Sequence, residues 1–374
     1  MSKPILFSFF SGSGFLDLGF EKSGFDVQYV NEYHKPFLDA YKYSRASMGI
    51  AEPKYGYSDI SIEELVEGEA EAEFGRIVRA AKKQGELIGF IGGPPCPDFS
   101  VAGKNKGKDG ENGRLTQVYV DGIVKFKPDF FIFENVRGLW RTARHREFFE
   151  KVKTELEDAG YILTNRLTNC IEYGAPQDRD RILLFGVKKS KSKSKNNSQL
   201  EVDFDWQSQL KYERDLIFKD IDWPSRDSYK EGSQKAIPKS IKQYEELTVE
   251  YWFKKNKVNT HPNASHHFVP RAALPKFQVI DEGDDSKKSF KRLHRWRYSP
   301  TAAYGNNEVH LHPYKSRRLS AAEALAIQSL PREFSFPSTM SLSNMFKTIG
   351  NGVPYVASLG LARTVKTYLD SFIR

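Results

Sequence analysis

The sequence predicts an α/β fold with a doubly wound, mainly parallel sheet and a second, smaller domain. Over the first 190 residues, apolar runs that suit buried strands alternate with amphipathic stretches that suit helices, which is typical of such a sheet. The pattern then breaks at "KKSKSKSKNNSQ", residues 188–199, whose Lys/Ser composition indicates an exposed linker. A chain of 374 residues is long enough for one large domain or two smaller ones.

Five apolar runs predict strands, and several amphipathic stretches predict helices. The strands are Ile5–Phe10, Asp26–Val30, Leu87–Ile91, Phe130–Phe133 and Ile182–Val187. Helices are predicted within Glu63–Gln84 and over Leu115–Phe126 and Arg146–Ala159, where Gly160 suits a C-terminal stop. From about 200 to 310 the periodicity is weak, and aromatic residues stand among basic ones, which indicates a small core. Helical periodicity returns in "RRLSAAEALAIQSLP" and "IGNGVPYVASLGLARTVKTYL", where Pro354 suits a first helical turn.

The charge and the cysteine content narrow the function classes. The net charge is +9, and residues 188–300 hold 24 Lys and Arg against 16 Asp and Glu, so a polyanionic partner such as nucleic acid is one interpretation; an ordinary basic surface is the other. No apolar stretch approaches the roughly 20 residues that span a bilayer, and the N-terminus lacks a signal-peptide pattern, so we expect a cytoplasmic protein without a membrane partner. Two cysteines exclude a disulfide scaffold and a four-cysteine zinc site, and we expect no metal.

Polar and glycine residues follow the first strands, where ligands of open parallel sheets bind. The first strand leads into "SGSGF", a glycine turn that lets the backbone approach a ligand. Glu32 follows the second strand, where its carboxylate could accept hydrogen bonds from ribose hydroxyls, and Asp59 is expected after a third. Each signal is weak alone, because such turns and surface acids are common, but their order favours a nucleotide-like ligand.

A thiol, a carboxylate and two arginines are expected at the same edge of the sheet. Cys96, in "GGPPCPDFS", follows the Leu87–Ile91 strand, and Glu134, in "ENV", follows the next one. "QDRDR" comes just before Ile182–Val187. An isolated cysteine is more often a buried structural residue, but a polar loop bracketed by prolines is a poor place for an inert thiol.

These stretches resemble motifs of the DNA (cytosine-5)-methyltransferases. "PPCPDFS" is similar to the catalytic Pro-Cys loop of that family, "FENVRG" to its Glu-Asn-Val motif, and "QDRDR" to its Gln-x-Arg-x-Arg motif. "FFSGSGFLDLGF" resembles its first cofactor motif, and "RRLSAAEALAIQSLP" and "GNGVPYVASLGLA" its last two. The motifs keep the family order from residue 5 to 362, with only 190–310 unmatched.

The resemblance implies a domain organisation, a cofactor and partners. A Rossmann-like sheet that binds S-adenosylmethionine comprises residues 1–189 and 344–374, so the two ends of the chain must meet. Residues 190–343 form a smaller DNA-recognition domain and hinge. The implied partner is double-stranded DNA, bound by a monomer, and a cognate restriction endonuclease would act separately in a restriction-modification system.

The resemblance also assigns the catalytic residues. Cys96 is the nucleophile that adds to carbon 6 of cytosine, because carbon 5 alone is too weak a nucleophile to take a methyl group. Glu134, beside Phe133, is expected to be protonated or to share a proton with ring N3. Arg181 is expected to bind O2 of the base. Arg179 would position the loop and lower the pKa of the thiol, and Asn135 would orient the loop or the exocyclic amino group.

The cofactor residues are assigned by motif position. Phe10 is expected to stack on adenine, Glu32 to hold the ribose, and Asp59 and Ile60 to contact the adenine. Gly12 and Gly14 would leave room for the methionine part. The last motif and the Pro-Cys loop complete the pocket with Asn351, Gly352, Val353 and Pro95.

Contacts with DNA are expected from two regions. Flipping a cytosine out of a duplex requires a closing segment, and residues 100–114 suit a mobile lid with four glycines and several cations. The other region is the basic segment, whose arginines are candidates for guanine or phosphate contacts, although solvated surface charge is the alternative for each. The candidates are Ser100, Lys104, Lys106, Lys108, Arg114, Arg271, Arg292, Arg295 and Arg297.

Two departures from the family pattern and three rival interpretations stay open. Ser8 stands where the first motif usually opens with an acidic residue, and Pro97 stands where Gln commonly follows the nucleophile. A transfer-RNA cytosine methyltransferase is the first rival, and the long basic segment argues against it. A homologue that only binds DNA is the second, although the reacting residues are intact. A nicotinamide-dependent dehydrogenase is the third, but "SGSGF" lacks the usual glycine spacing.

Overall fold

A computed structural model describes residues 3–95, 111–141, 143–287, 289–302, 304 and 309–371. Within these ranges one seven-stranded sheet has the order β3-β2-β1-β4-β5-β7-β6. The strands are β1 Ile5–Phe9, β2 Asp26–Asn31, β3 Tyr57–Ser58, β4 Ile88–Gly92, β5 Phe130–Val136, β6 Tyr161–Asn169 and β7 Asp180–Lys188.

The direction of β7 differs from the parallel arrangement that the sequence predicts. Strands β1 to β5 pair in parallel, whereas β7 is antiparallel to both of its neighbours, β5 and β6. The five predicted strands are confirmed to within three residues at each end, but β6 was not predicted. Because β7 runs backwards, its first residues lie at the edge where β5 ends. This reversal explains how a motif that precedes a strand joins motifs that follow one.

Helices cover both faces of the sheet, and the predicted ones are confirmed. Gly160, with φ of +93°, follows the helix it was expected to stop. None of the helices in the described ranges is long and apolar enough to cross a membrane. The helices are α1 Phe15–Glu21, α2 Lys35–Ser47, α3 Ile62–Val66, α4 Glu71–Lys82, α5 Glu111–Phe126, α6 Gly138–Arg141, α7 Ala143–Asp158, α8 Asn197–Asp203, α9 Val249–Lys255, α10 Leu274–Val279, α11 Ala321–Ile327, α12 Leu342–Asn351 and α13 Tyr355–Asp370.

The N-terminal and C-terminal segments of the chain meet beside the first turn of the sheet. The hydroxyls of Ser13 and Thr348 lie 2.9 Å apart, and the Ser358 hydroxyl donates to the backbone carbonyl of Leu16. A Cβ on Gly352 would collide with the ring of Phe15, so only glycine permits this approach. The last cofactor motif therefore lies against the first, as the resemblance implied.

The Lys/Ser-rich stretch does not end the part of the chain that packs on the sheet. After it, Leu200 in α8 is fully buried, and the ring of Phe204 stacks on Phe185 of β7 with centroids 4.5 Å apart. The indole nitrogen of Trp206 donates to the hydroxyl of Thr164 in β6 at 2.9 Å. Residues 197–206 thus cover the outer strands, beyond the predicted boundary at residue 189.

Candidate active site

A buried ion pair joins the ends of β5 and β7. The Nε of Arg181 lies 2.6 Å from Oε1 of Glu134, and the two side chains are about nine-tenths buried. The antiparallel register places Arg181 opposite Val136 and Glu134 opposite Leu183, so both side chains reach the same edge. The Nη1 of Arg181 donates to the carbonyl of Asp180 at 2.8 Å, and its Nη2 has no partner among the described residues. One guanidinium nitrogen thus stays available for an acceptor on a ligand.

The chain that leads to Cys96 passes directly beside this pair. A Cβ on Gly93 would lie 2.5 Å from Oε2 of Glu134, so the carboxylate occupies the space that only glycine leaves open. Pro94 is buried and Pro95 half-buried. Cys96 lies outside the described residues, but the segment immediately before it touches the Glu134 carboxylate.

Asn135 follows Glu134 and is 2 % exposed. Its Oδ1 accepts a hydrogen bond from the backbone N–H of Val136 at 2.8 Å. Its Nδ2 is buried and has no hydrogen-bond partner within the described ranges. A buried amide donor without a partner costs free energy, so this group is suited to a carbonyl that a neighbouring segment or a ligand supplies.

Arg179 contacts backbone carbonyls instead of the ion pair. Its Nη1 donates to the carbonyl of Ala302 at 3.0 Å, and its Nη2 donates to that of Gly350 at 2.7 Å. Burial, with the charge of Arg181 nearby, lowers the pKa of this guanidinium. Arg179 therefore connects β7 to the region before Asn351 and to residues 299–302.

The second cysteine is excluded as a nucleophile. Cys170 is fully buried in an apolar cluster with Tyr173 and Val353. Burial raises the pKa of its thiol to about 12, although Arg181 and Arg179 oppose the shift. Because the thiolate is the reactive form, this residue is inert at neutral pH.

The backbone between β1 and α1, Ser11–Gly14, forms a tight turn that we call the cofactor turn. Phe10, just before it, has φ of +52°, and Gly12 and Gly14 have φ of +56° and +80°. A Cβ on Gly12 would meet nothing closer than Thr348 at 3.6 Å, so the turn is open on that side. Left-handed backbone is costly for ordinary side chains, which accounts for glycine at two of these three positions. The turn is closed by a hydrogen bond from the N–H of Gly14 to the carbonyl of Ser11 at 2.8 Å.

Glu32 lies at the end of β2 and faces the cofactor turn. Its Oε2 accepts from the N–H of Gly12 and its Oε1 from the N–H of His34, both at 2.8 Å. Burial raises the pKa of this carboxyl, and the two backbone hydrogen bonds oppose the rise. Each oxygen retains a lone pair, so the carboxylate fits a pair of vicinal hydroxyls such as those of ribose.

The other predicted cofactor residues surround the same turn. Asp59 and Ile60 follow β3 and are exposed, and the carbonyl of Ile60 accepts from Asn31 Nδ2 at 2.9 Å. Asn351 is exposed at the end of α12, whereas Val353 is 7 % exposed. The structure thus brings the first, second, third and last cofactor motifs to one end of the sheet.

The residues that were predicted to contact DNA have different surroundings, and two of these predictions need correction because the side chains are buried. Ser100, Lys104, Lys106 and Lys108 lie outside the described residues. All three guanidinium nitrogens of Arg292 donate to backbone carbonyls, those of Phe277, Ile280, His312 and Lys315. Arg295 pairs with Glu282 at 2.7 Å and also bonds Ser233. Both arginines are at least 97 % buried and hydrogen-bonded to other parts of the chain, so neither guanidinium is exposed for a contact with DNA.

The remaining arginine candidates stay accessible. Arg114 is 65 % exposed and pairs with Glu63 at 2.6 Å. Arg297 is half-buried, with its guanidinium 5.2 Å from the ring centre of Tyr298, and Arg271 is exposed.

Three residues near the site were missed from the sequence. Gln177 and Gln328 are fully buried, with an amide contact of 3.3 Å between them, and Gln328 also donates to the carbonyl of Ile349. The motifs contain both glutamines, but the sequence does not indicate that their side chains are in contact. Tyr33, next to Glu32, is an exposed large aromatic side chain, 73 % accessible.

Comparisons with known proteins identify the family of this chain. A profile of the C-5 cytosine-specific DNA methylase family matches residues 6–365. The chain is 60 % identical to the Type II methyltransferase M.NmeDI of Neisseria meningitidis serogroup C, over 99 % of this chain and 85 % of that protein. It is 29 % identical to M.FnuDI of Fusobacterium nucleatum, over 97 % and 94 %.

A solved structure shows the same fold. A chain described as a DNA modification methyltransferase of an E. coli prophage superposes with a TM-score of 0.66 at 21 % identity, covering 99 % of this chain and all of that one. The Rossmann-like architecture and the resemblance drawn from the motifs are thereby confirmed. With a family profile over nearly its whole length and a relative at 60 % identity, the chain belongs to the C-5 cytosine-specific DNA methylases.

Proposed function

We propose that this enzyme transfers a methyl group from S-adenosylmethionine to carbon 5 of a cytosine flipped out of duplex DNA, with Cys96 as the covalent nucleophile. The observation that carries the proposal is the buried Glu134–Arg181 pair, beside the segment that leads to Cys96. A carboxyl group and a guanidinium held 2.6 Å apart match the adjacent N3 and O2 of cytosine.

Each reacting group has a distinct task in this proposal. The Cys96 thiolate adds to carbon 6, which makes carbon 5 nucleophilic. A proton shared between Glu134 and N3, and a hydrogen bond from Arg181 Nη2 to O2, stabilise the negative charge that develops on the ring. After methylation, a base supplied by solvent takes the carbon 5 proton, the electron pair of that bond forms the 5,6 double bond, and Cys96 leaves carbon 6 as a thiolate. The Asn135 amide would hold the Pro-Cys loop or the exocyclic amino group.

The residues around the cofactor turn fit S-adenosylmethionine, which supplies an electrophilic methyl group when bound. Glu32 would hold the ribose, and Phe10, Asp59 and Ile60 would enclose the adenine. The open side of Gly12 leaves room for the methionine part, next to Thr348 and the Asn351–Val353 segment. Arg179 would position that segment through its bond to the carbonyl of Gly350.

The partners in the proposal follow from the relatives and from charge. Residues 190–343 would read the DNA sequence, with Arg297 and Arg271 as accessible cations and Lys104, Lys106 and Lys108 closing on phosphates. Because the relatives named above are Type II methyltransferases, we include protection of host DNA against a separate restriction endonuclease.

Bisulfite sequencing of DNA from a methylation-free host that expresses the protein tests the proposal. We expect unconverted cytosines in one fixed sequence context, and none in a host that expresses Cys96→Ser at the same level. Nucleoside mass spectrometry then confirms that the methyl group is on carbon 5. Complete conversion with the wild-type protein, or methylation by the serine variant, contradicts the proposal.

A further inference from the structure

A run of exposed arginines follows the strand that carries Glu134. Residues 137–146 contain four arginines and no Asp or Glu. All four are exposed, in and just before helices α6 and α7; they are Arg137, Arg141, Arg144 and Arg146. Since β5 ends at Val136, this positively charged surface begins three residues after Glu134.

A fifth arginine, from a distant part of the chain, meets the first arginine of this run. The Nη1 of Arg137 donates to Oδ2 of Asp180 at 2.8 Å, and the Nη1 of Arg214 lies 2.9 Å from Oδ1 of the same carboxylate. Arg214 belongs to residues 190–343, whereas Arg137 follows a central strand of the sheet. One carboxylate therefore holds two guanidinium groups side by side, and we call Arg137 and Arg214 the arginine pair.

The arginine pair remains accessible to a further acceptor. The side chains of Arg137 and Arg214 are 52 % and 37 % exposed, and among the described residues neither guanidinium has a second carboxylate within ion-pair distance. The other acid nearby, Asp178, accepts from Asn169 Nδ2 at 2.7 Å, and burial raises its pKa, which disfavours a further negative charge here. Two planar guanidinium groups with exposed N–H donors match the oxygens of a phosphate group.

The arginine pair lies at the edge of the sheet where a target base would enter. In the antiparallel register Val136 is opposite Arg181, so Arg137 and Asp180 come one residue farther out than the residues of the buried ion pair. Because side chains alternate along a strand, Asp180 and Arg181 point to opposite faces of β7. A flipped nucleotide stays joined to its strand through a phosphate on each side, and these phosphates cannot follow the base into the pocket. The arginine pair is therefore placed for a phosphate and not for the base.

We infer that the arginine pair binds a phosphate of the DNA strand that carries the target cytosine. The contact joins residues 190–343 to the end of β5 through the substrate, and it carries no sequence information of its own. This inference rests on the proposed function, because it requires that duplex DNA is the substrate.

The salt dependence of duplex binding tests the inference. The double variant Arg137→Gln/Arg214→Gln is compared with wild type by fluorescence anisotropy, on a duplex with the sequence context found by bisulfite sequencing. Arg137→Lys/Arg214→Lys keeps both charges. Arg76→Gln/Arg79→Gln removes the same charge from exposed positions of α4, a helix whose Lys82 contacts the carbonyl of Phe126 at the opposite edge, where β5 begins.

Loss of one phosphate contact should change the slope of log K against log salt by a known amount. We expect the glutamine double variant to lower the magnitude of this slope by about 0.9, which makes its loss of affinity between about 50 and 200 mM salt roughly 3.5-fold smaller than that of wild type. The lysine double variant and the α4 variant should keep the wild-type slope. Arg137→Gln alone, at the more exposed position, should lower the slope by a smaller amount, and it provides the measurement where the double variant does not fold.

Other outcomes contradict the inference. An arginine pair that only connects two parts of the chain would lower the free energy of unfolding when it is replaced, but would leave the slope unchanged. An unchanged slope in the glutamine variants therefore overturns the inference, and so does an equal reduction in the α4 variant. A wild-type protein that neither binds nor methylates duplex DNA overturns the proposed function, whereas a methylating wild type with unchanged slopes in the variants overturns this inference alone.

Discussion

Replacement of Asp17, a buried carboxylate in the first turn of α1, by asparagine is expected to stabilise the protein at neutral pH. The asparagine amide can donate to Ser8 and its carbonyl can accept from Tyr41, so both existing contacts are kept. The Ser8 hydroxyl contacts both Asp17 and the Ser11 hydroxyl, and Ser11 donates to the carbonyl of Asn31, so two hydroxyl protons serve three contacts. The asparagine amide supplies a third proton. The buried negative charge is removed.

The magnitude follows from the change in pKa on folding. Burial raises the pKa of Asp17 from 3.8 to about 6, so the folded protein holds a proton more tightly than the unfolded chain does. The contribution of this group to stability is therefore fully present below pH 4 and is lost as the pH rises through 6. Two units correspond to about 3 kcal/mol, which is the stability that the asparagine variant should gain over wild type above pH 7. For a chain of this length the gain is about 4 °C in Tm.

Urea unfolding of both proteins at pH 4.5, 6 and 7.5 measures the effect. The difference in unfolding free energy should grow with pH and level off above 7. A difference that is constant across this range, or an asparagine variant that is less stable at pH 7.5, would refute the reasoning.

A matched control is available at the opposite edge of the sheet. Asp129 is also buried, but its carboxylate accepts from the N–H of Ile88 at 3.0 Å and lies 3.6 Å from the ammonium of Lys188. Asp129→Asn removes the attraction between this carboxylate and the Lys188 ammonium, whereas Asp17→Asn removes a buried charge that has no ion-pair partner among the described residues. It should bring no gain in stability at pH 7.5.

Four further predictions concern the candidate active site and the segment 190–343. Cys96→Ser should abolish methyl transfer but leave DNA binding intact in a mobility-shift assay. Full methyl transfer by this variant would contradict the mechanism. Glu134→Gln should lower kcat more than it changes the cofactor Kd, so unchanged turnover removes its proposed role. Gly93→Ala should displace the Glu134 carboxylate and lower kcat about 100-fold at unchanged cofactor affinity, which single-turnover kinetics would show. Arg292→Met should cost about 3 kcal/mol of unfolding free energy through unsatisfied carbonyls, with no change in the salt dependence of DNA binding.

The sheet could be predicted because its strands are short and almost wholly apolar. Phe130–Phe133, for example, is completely buried, and such runs between glycines, prolines and amphipathic stretches leave little choice of structure. β6 escaped prediction since "YILTNRLTN" mixes polar and apolar residues at an outer position of the sheet. The antiparallel direction of β7 could not be predicted from the hydrophobic pattern, because a buried strand has the same apolar composition in either direction.

The site was predictable where motif residues act at strand ends, and not where tertiary packing decides. Glu134 and Arg181 meet as their motifs implied, although their pairing depends on the reversed β7. Arg292 and Arg295 could not be told from surface arginines, because the carbonyls and the carboxylate that satisfy them come from distant segments. The contact between Asp17 and Ser8 could not be predicted for the same reason, because only the structure places the two side chains together.

Buried polar side chains connect the last two motifs to the start of β7 through hydrogen bonds. Arg179 donates to the carbonyl of Gly350, and Gln328 donates to that of Ile349. Both side chains therefore bind the last turn of α12. Gln177 accepts from the N–H of Ala302 at 3.0 Å and contacts Gln328. Gln177 and Arg179 lie just before β7, four and two positions before the arginine that pairs with Glu134. The segments 299–302 and 349–352 are therefore both hydrogen-bonded to the residues just before β7, and neither can move independently of that strand without breaking these bonds.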